Sequence, residues 1–276
     1  MKTKERIERH YGTGRILEAI KQGLQATGKD LGNLRVDDVS DVDEFHLGGR
    51  VASEHFFPKL SLQPGQRILD VGAGIGGGAR FAADTYGVSV TGIDLTSEYV
   101  QAGREISDWT GMSEKVELNV GDATHLEFDD ASFDGAFTMH VLMNIENKAT
   151  AFAEVYRVLK PGSVFGIYDI VQRDPGDIAF PVPWADEASS SFLSTSEEYV
   201  SELESAGFNV EKVEDRYEFA LGYFKMVREK MANAGGPPPL GIHLLMGESA
   251  KTKLGNVAGN LEAGLISSCE FIARKS

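Results

Sequence analysis

The residues with chemical potential gather where short apolar runs give way to glycine or acid. The densest such segment is Leu69-Asp70-Val71-Gly72-Ala73-Gly74-Ile75-Gly76-Gly77-Gly78. A glycine loop between a strand and a helix lets the chain turn sharply, brings backbone close to a ligand and packs strand against helix. The helix it opens offers free N–H groups to an anionic part of that ligand. Gly72-x-Gly74-x-x-Gly77 also meets the dinucleotide pattern, so the glycines alone leave the ligand open. Two acids narrow the choice. Asp70 precedes the first glycine by two positions, where it repels a pyrophosphate and suits a ligand carrying an ammonium group. Asp94 closes the next apolar run, where a carboxylate takes both hydroxyls of a ribose.

Such residues need a scaffold that brings strand ends together. Arg67–Val71, Val88–Ile93, Val116–Val120, Phe133–Met139 and Val164–Ile170 read as strands, and intervening segments such as Glu98–Trp109 and Ala149–Leu159 read as helices. This alternation predicts a parallel sheet covered on both faces. Upstream, Ile16, Leu17, Ile20 and Leu24 recur at helical spacing, with Gly28 as the stop. Downstream, Ser194 and Glu197 have the form of a capping box opening a helix that ends at Gly207. Asn209–Tyr217 and Ser267–Arg274 read as a late, hairpin-like strand pair. The helical excursion between them is broken at Gly235-Gly236-Pro237-Pro238-Pro239. The expected organisation is an N-terminal helical lid over 1–60, a sheet domain over 61–217 and 264–276, and an inserted cap over 218–263.

Composition sets outer bounds. The 276 residues hold 42 acidic and 27 basic side chains, a net charge of −15. That charge repels nucleic-acid backbones and anionic lipid heads, so neither nucleic acid nor a membrane is expected as a partner. No apolar run reaches the ~18 residues of a membrane span. The first fifteen residues lack the apolar stretch of a secretory signal, so a cytoplasmic location is expected. The single cysteine, Cys269, forms no internal disulfide and binds no structural zinc by itself.

Taken in order, these motifs resemble those of class I S-adenosylmethionine-dependent methyltransferases. The resemblance is strong from Leu62 to Ile170 and extends to the rest in layout. In that family the first motif reads acid-x-Gly-x-Gly-x-Gly, matched here by Asp70, Gly72, Gly74 and Gly76, and it holds the methionine part of S-adenosyl-L-methionine. The resemblance implies that Asp94 takes the ribose and that Leu95 covers one adenine face. It also implies that Asp122 takes the adenine amino group while Ala123 supplies a backbone N–H. Leu159-Lys160-Pro161-Gly162 is similar to the family's turn before the fifth strand. The fold implied is α/β, a doubly wound Rossmann-like sheet of seven strands, mostly parallel with an antiparallel last strand. Within the family the layout is similar to sarcosine/dimethylglycine and quinone-type methyltransferases, with their helical lid and inserted cap. Asp43–Arg50 lies where such enzymes carry a histidine-containing segment beside the cofactor.

The reaction implied is direct displacement at a sulfonium methyl, driven mainly by positioning and electrostatics. A base helps only a nucleophile that arrives protonated. Parallel sheets hold ligands beyond the carboxyl ends of their strands, which makes His140 the first candidate for general base or substrate-orienting group. Tyr11 joins it from the lid. Asn144, His46, Trp184 and His243 are candidates to bind the acceptor, Arg50 to close over it, and Met139 to pack against cofactor. Only Asp169 and Asn144 offer themselves near the strand ends as metal ligands, so no metal is expected. The first expected acceptor is a small-molecule amine such as sarcosine or dimethylglycine. The alternative is C- or O-methylation of a quinone, polyketide or sterol-like ring. Arg or Lys facing the acceptor favours the amine; a lining of Phe, Leu and Met favours the ring. An NAD-dependent oxidoreductase and a non-catalytic cofactor-binding protein are the competing classes, and a homodimer is compatible with every reading.

Overall fold

Five apolar runs form the parallel part of one sheet: β1 (Arg67–Val71), β2 (Ser89–Asp94), β3 (Val116–Val120), β4 (Phe133–Met139) and β5 (Leu159–Gln172). With β6 (Phe208–Asp215) and β7 (Ile266–Lys275) they make a seven-stranded sheet of order β3-β2-β1-β4-β5-β7-β6. β7 runs antiparallel to both neighbours. The computed structural model describes residues 15–234 and 236–276; Tyr11 lies outside them. Among the described residues three α-helices precede the sheet: α1 (Ile16–Ala26), α2 (Ser40–Asp43) and α3 (Gly49–Phe56). Four accompany it: α4 (Gly77–Tyr86), α5 (Ser97–Trp109), α6 (Lys148–Val158) and α7 (Ser196–Ser205). Between β6 and β7 stand α8 (Tyr217–Ala234), α9 (His243–Met246) and α10 (Ala250–Glu262).

Strand order reverses between β1 and β4, the position at which doubly wound sheets open a crevice for ligands. Asp70 pairs in register with Gly92 on one side and Phe137 on the other. Asp94 belongs to β2, opposite Val120, so that strand lies one residue later than its apolar run. The turn expected at residues 159–162 is instead an irregularity inside β5. Leu159 faces Phe133 and Val164 faces Gly135, so the residues between them bulge from the ladder. The capping box also sits one residue later. Thr195 caps α7 and exchanges hydrogen bonds with Glu198, while the Ser194 carbonyl accepts the Gln172 N–H at 3.0 Å. β6 stops at Asp215 rather than Tyr217, because the Asp215 carboxylate accepts the Tyr217 N–H at 2.9 Å and starts α8.

The sheet's two faces carry separate cores, one around Phe133, Phe152, Phe165 and Phe271 and one around Phe56, Phe57, Phe81 and Phe137. Each such phenylalanine contributes about 1.5–3 kcal/mol by burial. A third cluster joins Ile16, Ile20 and Leu24 of α1 to Tyr99 and Ile106 of α5 and to Leu240 and Leu245. Segments distant in sequence are thereby held over the strand ends.

One polar linkage crosses this packing. Arg80 of α4 is fully buried and donates to Asp43 at 2.9 Å, to the Ile75 carbonyl at 2.6 Å and to the Gly103 carbonyl and Ser107 hydroxyl at 3.1 Å. It therefore ties the glycine loop, α5 and the lid together. Removing one partner of a buried ion pair leaves the other charge uncompensated. Arg80→Ala is expected to lower the unfolding free energy by about 3–5 kcal/mol, measured by urea denaturation; a loss below 1 kcal/mol contradicts this role.

Candidate active site

The glycine loop leaves β1 and is folded back by its own backbone. The N–H groups of Gly72 and Ala73 both donate to the Ile93 carbonyl at 2.8 Å. Gly72 has φ 77°, a left-handed conformation that L side chains rarely adopt, and a Cβ there would collide with Val141. Gly77 opens α4 so close to the lid that a Cβ would strike the Asp43 carbonyl. The loop's conformation and its contact with the lid thus both require glycine.

Three of the acids that line the cleft stand at the carboxyl ends of β1, β2 and β3 or just past them: Asp70, Asp94 and Asp122. Asp94 accepts the N–H of Gly74 at 2.9 Å with one oxygen and the N–H of Thr96 at 2.8 Å with the other. The Thr96 side chain adds a further hydrogen bond to this carboxylate. Burial raises its pKa, opposed by these backbone hydrogen bonds. Asp122 accepts both donors of Thr124 on one oxygen, at 2.8 and 2.7 Å, which leaves its other oxygen to meet an amino group. Leu95 and Ala123 line the same cleft.

Asp70 is the unusual member. It is buried, and burial followed by the charges of Asp94 and Glu44 pushes its pKa well above the ordinary value, against the pull of Arg80. No hydrogen bond stabilises its ionised form among the described residues. A buried carboxylate without a partner is costly, and a cationic ligand group in the cleft relieves that cost.

The opposite end of the cleft lies beyond β4 and β5. His140 follows β4 with φ 56° and donates its N–H to the Tyr168 carbonyl at 2.7 Å. Its Nδ1 accepts the Leu47 N–H at 3.3 Å. His46 is buried, with Nε2 at 3.1 Å from the Gly49 carbonyl and 3.2 Å from the Ser53 hydroxyl, and burial lowers its pKa to about 4. The two rings meet edge to face at 6.0 Å. Asn144 and Trp184 are buried in the lining, Trp184 donating to the Ser191 hydroxyl at 2.9 Å. Met139 and His243 also line the cleft. Apart from Tyr11, the cleft brings together every candidate cofactor and acceptor residue except Gly76 and Arg50, neither of which lines it. Gly76 caps α4 behind the loop. Arg50 instead pairs with Glu44 at 2.9 Å and lies over the Phe81 ring at 4.4 Å.

Sequence reasoning placed the Asp43–Arg50 segment beside the cofactor but assigned no individual role to Asp43, Leu47 or Tyr168. Leu47 and Tyr168 grip His140 through backbone groups, and Asp43 reaches the cleft while bound to Arg80. Asp169 is consumed by the protein: it accepts from the Tyr199 hydroxyl at 2.9 Å and the Ile170 N–H at 2.9 Å, and burial raises its pKa to about 7. A cluster spaced for a metal lies outside the cleft, at His55, Glu214 and Glu270. There Lys59 contacts both carboxylates, and Arg216 lies beside His55 and both acids, so the site's negative charge is already balanced.

The comparisons follow this geometry. Residues 69–167 match a family model described as "Methyltransferase domain". Sterol 24-C-methyltransferase of Yarrowia lipolytica is 32% identical over 169 residues, 59% of this chain and 44% of that protein. Phosphoethanolamine N-methyltransferase 1 of Triticum aestivum is 35% identical over 188 residues, 68% of this chain and 37% of that protein. The chain therefore spans less than half the length of these two relatives. In fold it is similar over its whole length to the [4+2]-cyclase SpnF, with 22% identity, a TM-score of 0.71 and 97% of that chain covered. The segment from β1 into β5 thus matches a methyltransferase domain, and the sheet around it has an α/β fold like that of SpnF. Among the described residues no helix is long and apolar enough to cross a membrane.

The raised pKa of Asp70 gives a signed prediction. In the folded protein Asp70 keeps its proton above the ordinary range of about 3.9, so it costs stability as pH rises from there through its own raised value. A ligand ammonium needs the ionised form, so binding expels a proton and tightens with increasing pH. Calorimetry of S-adenosylhomocysteine in buffers of differing ionisation heat is expected to show net proton release that Asp70→Asn abolishes. Proton uptake, or release unchanged in the variant, contradicts this.

Proposed function

We propose that the protein transfers a methyl group from S-adenosyl-L-methionine to a small molecule whose reacting part is bulky and largely apolar. The observation that carries this reading is one continuous cleft of about 1210 Å³, acidic at the β1–β3 ends and apolar at the other. Single-ligand pockets usually measure about 300–1,000 Å³, so the cleft has room for the cofactor and a sizeable partner.

The donor set fits the cofactor part by part. Asp122 and the Ala123 N–H face an adenine, Leu95 covers its ring, Asp94 takes the ribose hydroxyls and Asp70 receives the ammonium. When bound, S-adenosyl-L-methionine supplies an activated methyl on a leaving group that departs neutral. The chain's contribution is alignment and the exclusion of water. His140, Asn144 and Met143 stand where an acceptor approaches, and Trp184 and the α8–α10 segment cover it. The acidic end holds the donor's charge rather than attacking it.

The lining favours the ring-like class of acceptor over the sarcosine-type amine. Lys230 and Lys251 line the cleft but are exposed, and the exposed Arg228 pairs with Glu262 at 2.9 Å. The buried wall opposite the acids consists of Met143, Ile170, Trp184, Val257 and Ala258. A small carboxylated amine would meet no buried cation among these residues. An N-methylated acceptor remains the second reading, supported by likeness to the wheat phosphoethanolamine enzyme.

Asp94→Ala removes the ribose acceptor and loosens Gly74 and Thr96. It is expected to weaken S-adenosylhomocysteine binding at least tenfold, from about 1.5–3 kcal/mol for charged hydrogen bonds. Calorimetry alongside a thermal melt checks it, and unchanged affinity in a folded variant sinks the ribose assignment. An acceptor panel read out by S-adenosylhomocysteine production is expected to favour apolar ring compounds over sarcosine and dimethylglycine.

A further inference from the structure

We propose that His140 is a hydrogen-bond donor locked in one tautomer, and that it receives an oxygen of the methyl acceptor rather than removing its proton. The inference rests on the methyltransferase reading for the acceptor's presence, but not for the state of the ring. A neutral imidazole carries one donor and one acceptor nitrogen. The Leu47 N–H donates to Nδ1 at 3.3 Å, so Nδ1 holds no proton and Nε2 holds one. This tautomer is assigned from the hydrogen-bond network. A proton on Nδ1 would confront the Leu47 N–H, donor against donor.

The clamp on that tautomer is built from two strand ends. Leu47 lies between α2 and α3, and its carbonyl accepts the Tyr168 hydroxyl at 2.9 Å. Tyr168 in turn accepts the His140 N–H through its own carbonyl at 2.7 Å. One lid peptide is therefore held by its C=O and its N–H, and the ring that its N–H orients is anchored by the same tyrosine. His140 keeps its left-handed φ of 56° within this arrangement. Conformations of this kind persist where surrounding contacts over-determine them, often at functional sites. The ring stays neutral, since burial and the neighbouring His46 hold its pKa well below the usual value.

The Nε2 atom is what requires a ligand. It is buried with no hydrogen-bond partner, and its residue lines the cleft. A buried donor left without an acceptor is destabilising. An oxygen lone pair, whether carbonyl, phenolate or carboxylate, satisfies it without any proton transfer. Tyr168 is thus a positioning residue, acting through Leu47 and His140. A base must offer a free lone pair on the atom facing the substrate, and the nitrogen that has one is already occupied by Leu47.

The test uses the full chain saturated with S-adenosylhomocysteine; failure to saturate would sink the methyltransferase reading and leave the ring's tautomer measurable in the free protein. Histidine nitrogen NMR is expected to show His140 with a bare Nδ1 and a protonated Nε2, and Tyr168→Phe to shift that ratio. The ketone 1-tetralone is expected to move the His140 Nε2–H signal. It should also bind at least tenfold tighter to wild type than to His140→Phe, as one hydrogen bond near 1.4 kcal/mol gives. The hydrocarbon tetralin should bind both equally. His140→Gln, which keeps a donor near Nε2 but no basic nitrogen, should recover most of the tetralone affinity. A proton on Nδ1, or tetralone binding indifferent to His140→Phe, overturns the proposal.

Discussion

The cleft is organised around a buried carboxyl whose ionised form no cation among the described residues adequately stabilises. Asp70 sits in the central strand of the parallel group, in register beside β2 and β4, where both sheet faces are packed and water is scarce. The one guanidinium that pulls on it, Arg80, is already bound to Asp43 and to backbone carbonyls. Asp94 adds repulsion from the neighbouring strand. Such an arrangement opposes folding stability, and its cost is recovered when a cation enters. The glycine turn is the geometric counterpart, because it brings the chain back to the Ile93 carbonyl and leaves the carboxylate facing the cleft.

The second half of the cleft is organised by contact between the lid and the sheet. Asp43 and Leu47 belong to one short stretch of chain, yet they touch Arg80 and His140 respectively. Tyr168 reaches the same stretch from β5. The ends of β4 and β5 and the helix after β1 thus meet a single N-terminal segment, which couples the two halves of the cleft. The buried charges there are stabilised only in pairs, which makes the segment intolerant of single losses.

Much of this was legible in the sequence. The five parallel strands stood out as apolar runs, and Asp70, Asp94 and Asp122, singled out by their order along the chain, line one cleft. What was not legible depends on tertiary contact. Ser194 and Thr195 each precede a glutamate by three positions. Only the pairing of the Ser194 carbonyl with β5 decides that Thr195 caps the helix. Arg80 reads as an ordinary helical arginine until the lid folds over it. The residue type of His140 admits a base or a donor, and a backbone N–H from Leu47, far away in the chain, separates them.

The account is tested most directly by the crystal structure of the protein soaked with S-adenosylhomocysteine. It predicts the adenine amino group at Asp122, the ribose hydroxyls at Asp94 and the ammonium at Asp70. A cleft that stays empty, or a compound bound away from these three carboxylates, would contradict it.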